Sequence, residues 1–444
     1  MKRWWDLSLS REHMRQRLLP QLERSARLER ALKRAILGVT GLGLLVVLAG
    51  TPLGRYAVLS LAVHVQELVL RPFHRTPSRR EVDALWALRR ERGIVQTAAR
   101  FEQVFDGSRA PLQKLLRTAG MAPGDGLLRW ANYDRTLLFS SRVFEADNTG
   151  RSYRLRPETR AVWLRETALV GSPFGMLLVP DTPEVRAAAS EAGVRIVAGS
   201  EQTTNTWGLR GPEPRLDASV RGLVLGDSFM QGLFIGDPET PPARLERALQ
   251  GELQASVCIL NTGHFGYSPE QYYHTLREYA DRFQPHFVVV SVCPNDFGDG
   301  LSVLKGEGDW SEAAHWLGAI QRFCRERGIA CVVAPVPIDV RLEGQCLEGF
   351  YPGLVANACG LHSLTYCNPF DDFVDEHLRL VAEARRRGSS VPHSPLYNRH
   401  LDDGHFSAQG AAIWGRSLGR RVALLLANDP PQALVAGDGV STVK

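Results

Sequence analysis

From Arg221 to Leu426 two patterns alternate: short continuous apolar runs, and longer stretches whose apolar residues return every three or four positions. The short runs predict buried strands near residues 222–226, 257–261, 286–292, 330–336 and 364–366. The longer stretches predict helices near 242–253, 269–283, 311–327, 374–387 and 408–426. Pro241-Pro242 suits a helix start, and Ser407 suits the N-cap of the last helix. Strands alternating with helices predict a parallel sheet. Right-handed crossovers make it a doubly wound, three-layer α/β/α sandwich of the flavodoxin-like kind. The loops at the strand carboxyl ends then converge on one face, where such sheets bind ligands.

Upstream the pattern changes. Residues 78–117 are charged and amphipathic, predicting helices broken near Asp106-Gly107-Ser108, within a helical juxtamembrane region at 55–120. Strand-like content at 127–145 and 161–165 and a helical stretch at 184–192 predict a small α+β region or a lid at 121–215. The sandwich is expected at 216–428, and the Pro/Gly-containing tail at 429–444 is expected to fray.

Charge sharpens this division. The chain of 444 residues has a net charge of +5, but residues 1–34 alone hold ten Lys/Arg and four Asp/Glu, leaving 43 basic against 44 acidic residues beyond them. A nucleic-acid-binding body is therefore disfavoured. Directly after the basic tail come twenty uncharged residues, Ala35 to Gly54. At 1.5 Å per residue that run just crosses a hydrocarbon core of about 30 Å. It is expected to be a single transmembrane helix with the tail cytoplasmic. Residues 56–70 contain His64, Gln66 and Glu67, and are expected to form an interfacial or packing helix rather than a second span. The body is then placed outside the inner membrane of a bacterial-type cell, in the periplasm.

The chemistry-bearing residues gather at the strand ends. Leu223-Val224-Leu225 runs into Gly226-Asp227-Ser228, which presents a serine where a parallel sheet exposes its ligand face. Downstream, Leu401-Asp402-Asp403-Gly404-His405-Phe406 offers a base, His405. Asp402 stands three residues before it as the orienting acid, with Asp403 as competitor. The run ending at Leu260 leads into Asn261-Thr262-Gly263-His264-Phe265-Gly266-Tyr267, where a glycine lets backbone N–H approach a substrate. The run ending at Val292 leads into Cys293-Pro294-Asn295-Asp296, where Asn295 can offer an amide to a developing negative charge. Each segment alone is ordinary turn chemistry. Together, in this order and at successive strand ends, they point to a nucleophilic serine.

In these four blocks the chain resembles the SGNH (GDSL-type) hydrolases, over roughly Arg221 to Leu425. The resemblance implies Ser228 as nucleophile, His405 as base and Asp402 as its partner. It also implies an oxyanion hole formed by the Ser228 N–H, the Gly266 N–H (preferred to Gly263) and the Asn295 side chain. Cys293 departs from the glycine usual at the head of the third block. A similar Asn-x-x-Gly-x-Arg element, here Asn205 to Arg210, precedes the serine block in some bacterial members. Arg210 is expected at the surface in a turn, the alternative being contact with an anionic substrate group.

The activity implied is ester hydrolysis through an acyl-enzyme, on an acylated small molecule, glycan or lipid. The alternatives are acyl transfer to a glycan hydroxyl and a non-catalytic binding module. No cofactor or metal is called for: His264, His274, His286, His315, His362, His377, His393 and His400 read as surface or packing residues, with no metal-ligand spacing among them. Of the seven cysteines, Cys258, Cys331 and Cys367 read as buried apolar residues. Cys346 and Cys359 flank a loop-rich stretch, where they are able to pair under oxidising conditions.

Overall fold

In a computed structural model of the chain, the described residues are 79–131, 136–165, 176–297, 311–339, 351–389, 394–398, 401 and 403–428. The expected basic tail, the 35–54 span, the 56–70 helix and the 429–444 tail lie outside them, as do Asp402 and Cys346. Among the described residues no helix is long and apolar enough to cross a membrane. The chain divides into Met1–Asp83 and Ala84–Lys444. The first unit is described only from Arg79, and every strand of the structure belongs to the second.

Among the described residues two helices come first, α1 (Arg79–Asp106) and α2 (Ala110–Thr118), broken at Gly107-Ser108 as expected. Eight short strands come next: β1 (Leu127–Trp130), β2 (Thr136–Phe139), β3 (Phe144–Asp147), β4 (Ser152–Leu155), β5 (Arg160–Arg165), β6 (Met176–Pro180), β7 (Arg195–Ile196) and β8 (Gln202–Thr203). Helix α3 (Pro183–Ala192) sits between β6 and β7, with the Thr182 hydroxyl capping it by accepting from Val185 N–H. β1–β2 and β3–β4 are antiparallel pairs, and β5 pairs antiparallel with β6, β7 and β8.

The remaining strands form the expected parallel sheet. They are β9 (Val220–Leu225), β10 (Val257–Asn261), β11 (Phe287–Val292), β12 (Ala330–Pro335) and β13 (Thr365–Tyr366), in the order β10-β9-β11-β12-β13. The helices of this half are α4 (Ser228–Gln231), α5 (Pro241–Leu253), α6 (Pro269–Phe283), α7 (Ser311–Glu326), α8 (Gly353–His362), α9 (Phe370–Arg386) and α10 (Ala408–Asn428). Gln271 reaches back to Ser268 in a capping box that starts α6, and the Ser407 hydroxyl accepts from Gly410 N–H at the start of α10.

Alternate strand residues face opposite layers. Leu223, Leu225, Val288 and Val290 pack toward Leu276 and Tyr279 of α6 and Leu317 of α7. Val224, Val289 and Val332 pack toward Leu245 and Leu249 of α5 and Trp414 of α10. The first cluster also takes in Phe139, Tyr153, Leu155 and Trp163. The β1–β8 region therefore shares its core with the sheet layer instead of closing one of its own on that side. A further cluster joins Leu115 and Leu116 of α2 and Val185 of α3 to Val162 and Leu164 of β5.

One local reading is corrected. Helix α8 falls on a stretch that carries no expected element, because its two glycines and small residues dilute the apolar repeat. Cys359, on its buried face, is a free thiol, and Cys346, the other half of the possible pair, lies outside the described residues.

Candidate active site

The carboxyl ends of β10, β9 and β11 lie side by side, and the chain reverses its direction of travel across the sheet at β9. Ser228 opens α4 immediately after β9, and is 5% exposed. Its Oγ lies 2.7 Å from His405 Nε2. His405 Nδ1 lies 2.6 Å from Asp403 Oδ1, which also accepts the His405 backbone N–H at 2.7 Å. Since a carboxylate can only accept, Nδ1 carries the proton and Nε2 is left to accept from the serine hydroxyl.

Among the described residues the orienting contact is made by Asp403, while Asp402, the expected acid, lies outside them. The reason is local. In Asp403-Gly404-His405 the carboxylate folds over an Asx turn onto the residue two positions on, reaching its backbone and its ring together. A spacing of two is enough; a helix-like spacing of three is not needed.

Electrostatics match the geometry. Burial alone would depress the His405 pKa, but Asp403, by charge and hydrogen bond, and Asp227 by charge, more than offset it, and the net direction is up from 6.5. Asp227 accepts from Phe229 N–H at 3.0 Å. Burial raises its pKa, while that N–H, His405 and the side chains of Cys293 and Asn295 oppose the rise. Asp296 is pushed further up by its own burial and by the Asp227 charge. It accepts from Cys293 N–H at 2.8 Å and from the Tyr272 hydroxyl at 2.9 Å. Cys293 is buried where the related block has glycine, and its thiol lies against Asp227.

Asn295 stands on a single 3₁₀ turn, Pro294–Phe297, at the end of β11, with its side chain beside Asp227, the residue before the nucleophile. In the 261–267 loop the two candidate glycines differ in their surroundings. Gly263 packs onto the backbone of α4: a Cβ there would lie 2.5 Å from the Met230 carbonyl carbon. Its N–H donates to Asn261 Oδ1 at 3.0 Å. Thr262, His264, Phe265 and Tyr267 N–H donate to Val224 O, Gly226 O, Gln231 Oε1 and His264 O. Gly266, at φ +79°, is the remaining one, and its N–H makes no hydrogen bond among the described residues.

Arg210 is not the surface residue expected of it. Its side chain is 0% exposed. The guanidinium donates to Asp237 Oδ1 at 2.7 Å, to the Gln231 and Gly232 carbonyls at 2.6 Å and to Ile235 O at 2.5 Å. It caps the end of the helix that Ser228 opens and is closed to solvent. His264 is a packing residue: burial lowers its pKa to about 4, its ring stacks on Tyr267, and Nε2 accepts from Leu155 N–H at 3.4 Å. Gln231 could be found only through the fold, since it lies in no pattern of its own; Arg210 stands out in the Asn205–Arg210 element, but its partners emerge only from the fold.

No family model matches this chain, and neither does any curated protein. Several solved structures are similar to it over less than half of its length. A lipolytic protein of the G-D-S-L family from Desulfitobacterium hafniense is 15% identical, with 45% of this chain and 98% of that chain covered, at a TM-score of 0.31. A GDSL-like lipase from Parabacteroides merdae is 17% identical, with 48% and 100% covered, at 0.32. The acetylxylan esterase Axe2 from Geobacillus stearothermophilus is 15% identical, with 46% and 94% covered, at 0.32. The chemistry open to the site is set by its own side chains.

Proposed function

We propose that this chain is a serine esterase of the SGNH type, acting through an acyl-enzyme on Ser228. The observation that carries the reading is the relay from Ser228 Oγ to His405 Nε2 at 2.7 Å and from His405 Nδ1 to Asp403 Oδ1 at 2.6 Å. His405 Nε2 takes the hydroxyl proton as Oγ attacks the ester carbonyl, and Asp403 stabilises the imidazolium. The oxyanion is received by the Ser228 and Gly266 N–H groups and the Asn295 amide. For Gly266 the support is a loop in which the neighbouring N–H groups are already engaged. His405 then returns the proton to the leaving alkoxide, and water, activated by the same imidazole, releases the acid.

The uncharged run from Ala35 to Gly54, behind a basic tail, supports anchoring in a membrane with the body on the far side from that tail. An acylated envelope glycan or lipid is the substrate class that fits this placement. The test of the chemistry is mass-spectrometric mapping of a fluorophosphonate adduct on the full chain, alongside hydrolysis of aryl esters of graded acyl length. An adduct at Ser228 that is lost in Ser228→Ala supports the reading. A folded chain with no adduct, or with one on another serine, overturns it. Reporter fusions after residues 77 and 444 test the topology separately.

A further inference from the structure

The hairpin of β3 and β4 lies far from the nucleophile in sequence, yet it grips the loop that supplies the oxyanion donor. Tyr153, on β4, is fully buried, stacked on Phe139 with ring centroids 4.3 Å apart and set edge-on against Tyr267 at 5.2 Å. Its hydroxyl donates to the carbonyl of Phe265. That carbonyl and the Gly266 N–H belong to one planar trans peptide, so they point in opposite directions and turn together. A donor that fixes the direction of the C=O therefore fixes the direction of the N–H. It also polarises the peptide, strengthening the N–H as a donor.

The other contacts leave that role to Tyr153. Gln231 Oε1 holds the preceding N–H, that of Phe265, at 2.6 Å. The Tyr267 hydroxyl donates to the Tyr153 carbonyl, Leu155 N–H to His264 Nε2, and Gln271 Nε2 to the Arg151 carbonyl at 2.6 Å. These join hairpin to loop without touching the Phe265–Gly266 peptide. The fit at Gly266 is close. A Cβ there would lie 2.7 Å from Ala131 Cβ and 3.1 Å from the Tyr153 hydroxyl oxygen.

We infer that Tyr153 is a positioning residue for catalysis: its hydroxyl aims the Gly266 N–H into the oxyanion site, so the β1–β8 region acts directly on the chemistry of a serine 75 positions away in sequence. The inference rests on the esterase reading, with Gly266 as an oxyanion donor. Burial, then the neighbouring Tyr267 and Asp227, hold the phenol well above its usual pKa, so it stays a proton donor across the working range.

Tyr153→Phe in the full chain keeps the ring and removes the donor. The expected result is a kcat lower by about tenfold, the scale of one net hydrogen bond, with KM within about twofold. Ser228 phosphonylation should slow in parallel, and the acid limb of the pH profile, set by His405 and Asp403, should stay where it is. Tyr279→Phe is the control, because it removes a hydroxyl that donates to Trp207 O at 3.1 Å on the same face of α6. It is expected to leave kcat unchanged. Fluorotyrosines of graded acidity at position 153 keep both ring and bond, and kcat is expected to rise with donor strength. Wild-type kcat in Tyr153→Phe, a loss matched by Tyr279→Phe, or a flat fluorotyrosine series overturns the inference while the esterase reading stands. An unlabelled Ser228 in the folded wild-type chain overturns both.

Discussion

Asp403→Asn separates the charge of the orienting residue from its shape. Asparagine keeps an oxygen able to accept the His405 backbone N–H now bonded at 2.7 Å, so the Asx turn survives. What is lost is the negative charge facing the ring, in a pair whose side chains are only 13% and 9% exposed. Two unit charges about 4 Å apart at an effective dielectric of about 20 interact by about 4 kcal/mol. That attraction exists only while His405 is an imidazolium, as in the transition state, and at about 1.4 kcal/mol per decade it is worth about three powers of ten in kcat.

The pH profile gives a second, signed readout. His405 must be neutral to accept the serine proton, so kcat/KM falls as pH drops through its pKa, which lies above the ordinary 6.5. Without Asp403 the balance passes to burial, which lowers the pKa, so the acid limb moves to lower pH while the plateau falls. Stability has the opposite pH sense. A raised histidine pKa stabilises the fold fully below 6.5 and loses that contribution as pH rises through the folded value. The melting-temperature cost of Asp403→Asn is therefore largest in acid. The assay is ester hydrolysis from pH 5 to 9 for Asp403→Asn and Asp402→Asn side by side. A variant at position 403 within tenfold of wild type, with its acid limb unmoved, would refute the argument, all the more if position 402 carried the loss.

Arg210→Met strips four acceptors of their donor and leaves Asp237 without its ion-pair partner. The expected cost is about 3 kcal/mol in chemical denaturation, and an unchanged midpoint would show the cap to be dispensable. Gly263→Ala forces a Cβ onto the backbone of α4, so a loss of about 1–3 kcal/mol is expected together with a fall in kcat as the nucleophile shifts; wild-type turnover would contradict the packing. His264 has its pKa lowered to about 4, so the unfolded chain takes up its proton first, near 6.5, and about 3 kcal/mol of stability drains away between those values. His264→Gln should flatten that part of the stability profile, and an equally steep profile would count against it.

The parts legible in the sequence were those whose signal is local. β10 and α6 fall on the expected residues, because an apolar run bounded by turns marks the first and Ser268-Pro269 with Gln271 marks the second. Helix α9 begins at Phe370, four residues before its expected start, because Asp371 and Asp372 interrupt the apolar repeat although Phe370 and Phe373 are already buried. The pairing of Ser228 with His405 was legible because a nucleophile and its base are restricted in residue type. The contact of Asp403 with His405 was legible only as the competing choice, because both neighbouring residues are carboxylates and the sequence does not rank them.

Tyr153 and the partners of Arg210 were illegible for a different reason: each contact is one that only the tertiary fold brings together. Their positions tie the sheet half to the residues before it. A chain starting at residue 216 would keep Ser228, His405, Asp403, Gly266 and Asn295. It would leave Leu223 and Leu225 on one side of the sheet without the Phe139, Tyr153 and Trp163 side chains that share their cluster. It would also free the Gln231, Gly232 and Ile235 carbonyls that Arg210 binds, and the Phe265 carbonyl that Tyr153 binds. Buried carbonyls without donors cost about 1–3 kcal/mol each, and these follow Ser228 or lie in the loop that holds Gly266. On the proposed esterase reading the β1–β8 region therefore supports the candidate site, although none of its residues takes part in the Ser228–His405–Asp403 relay.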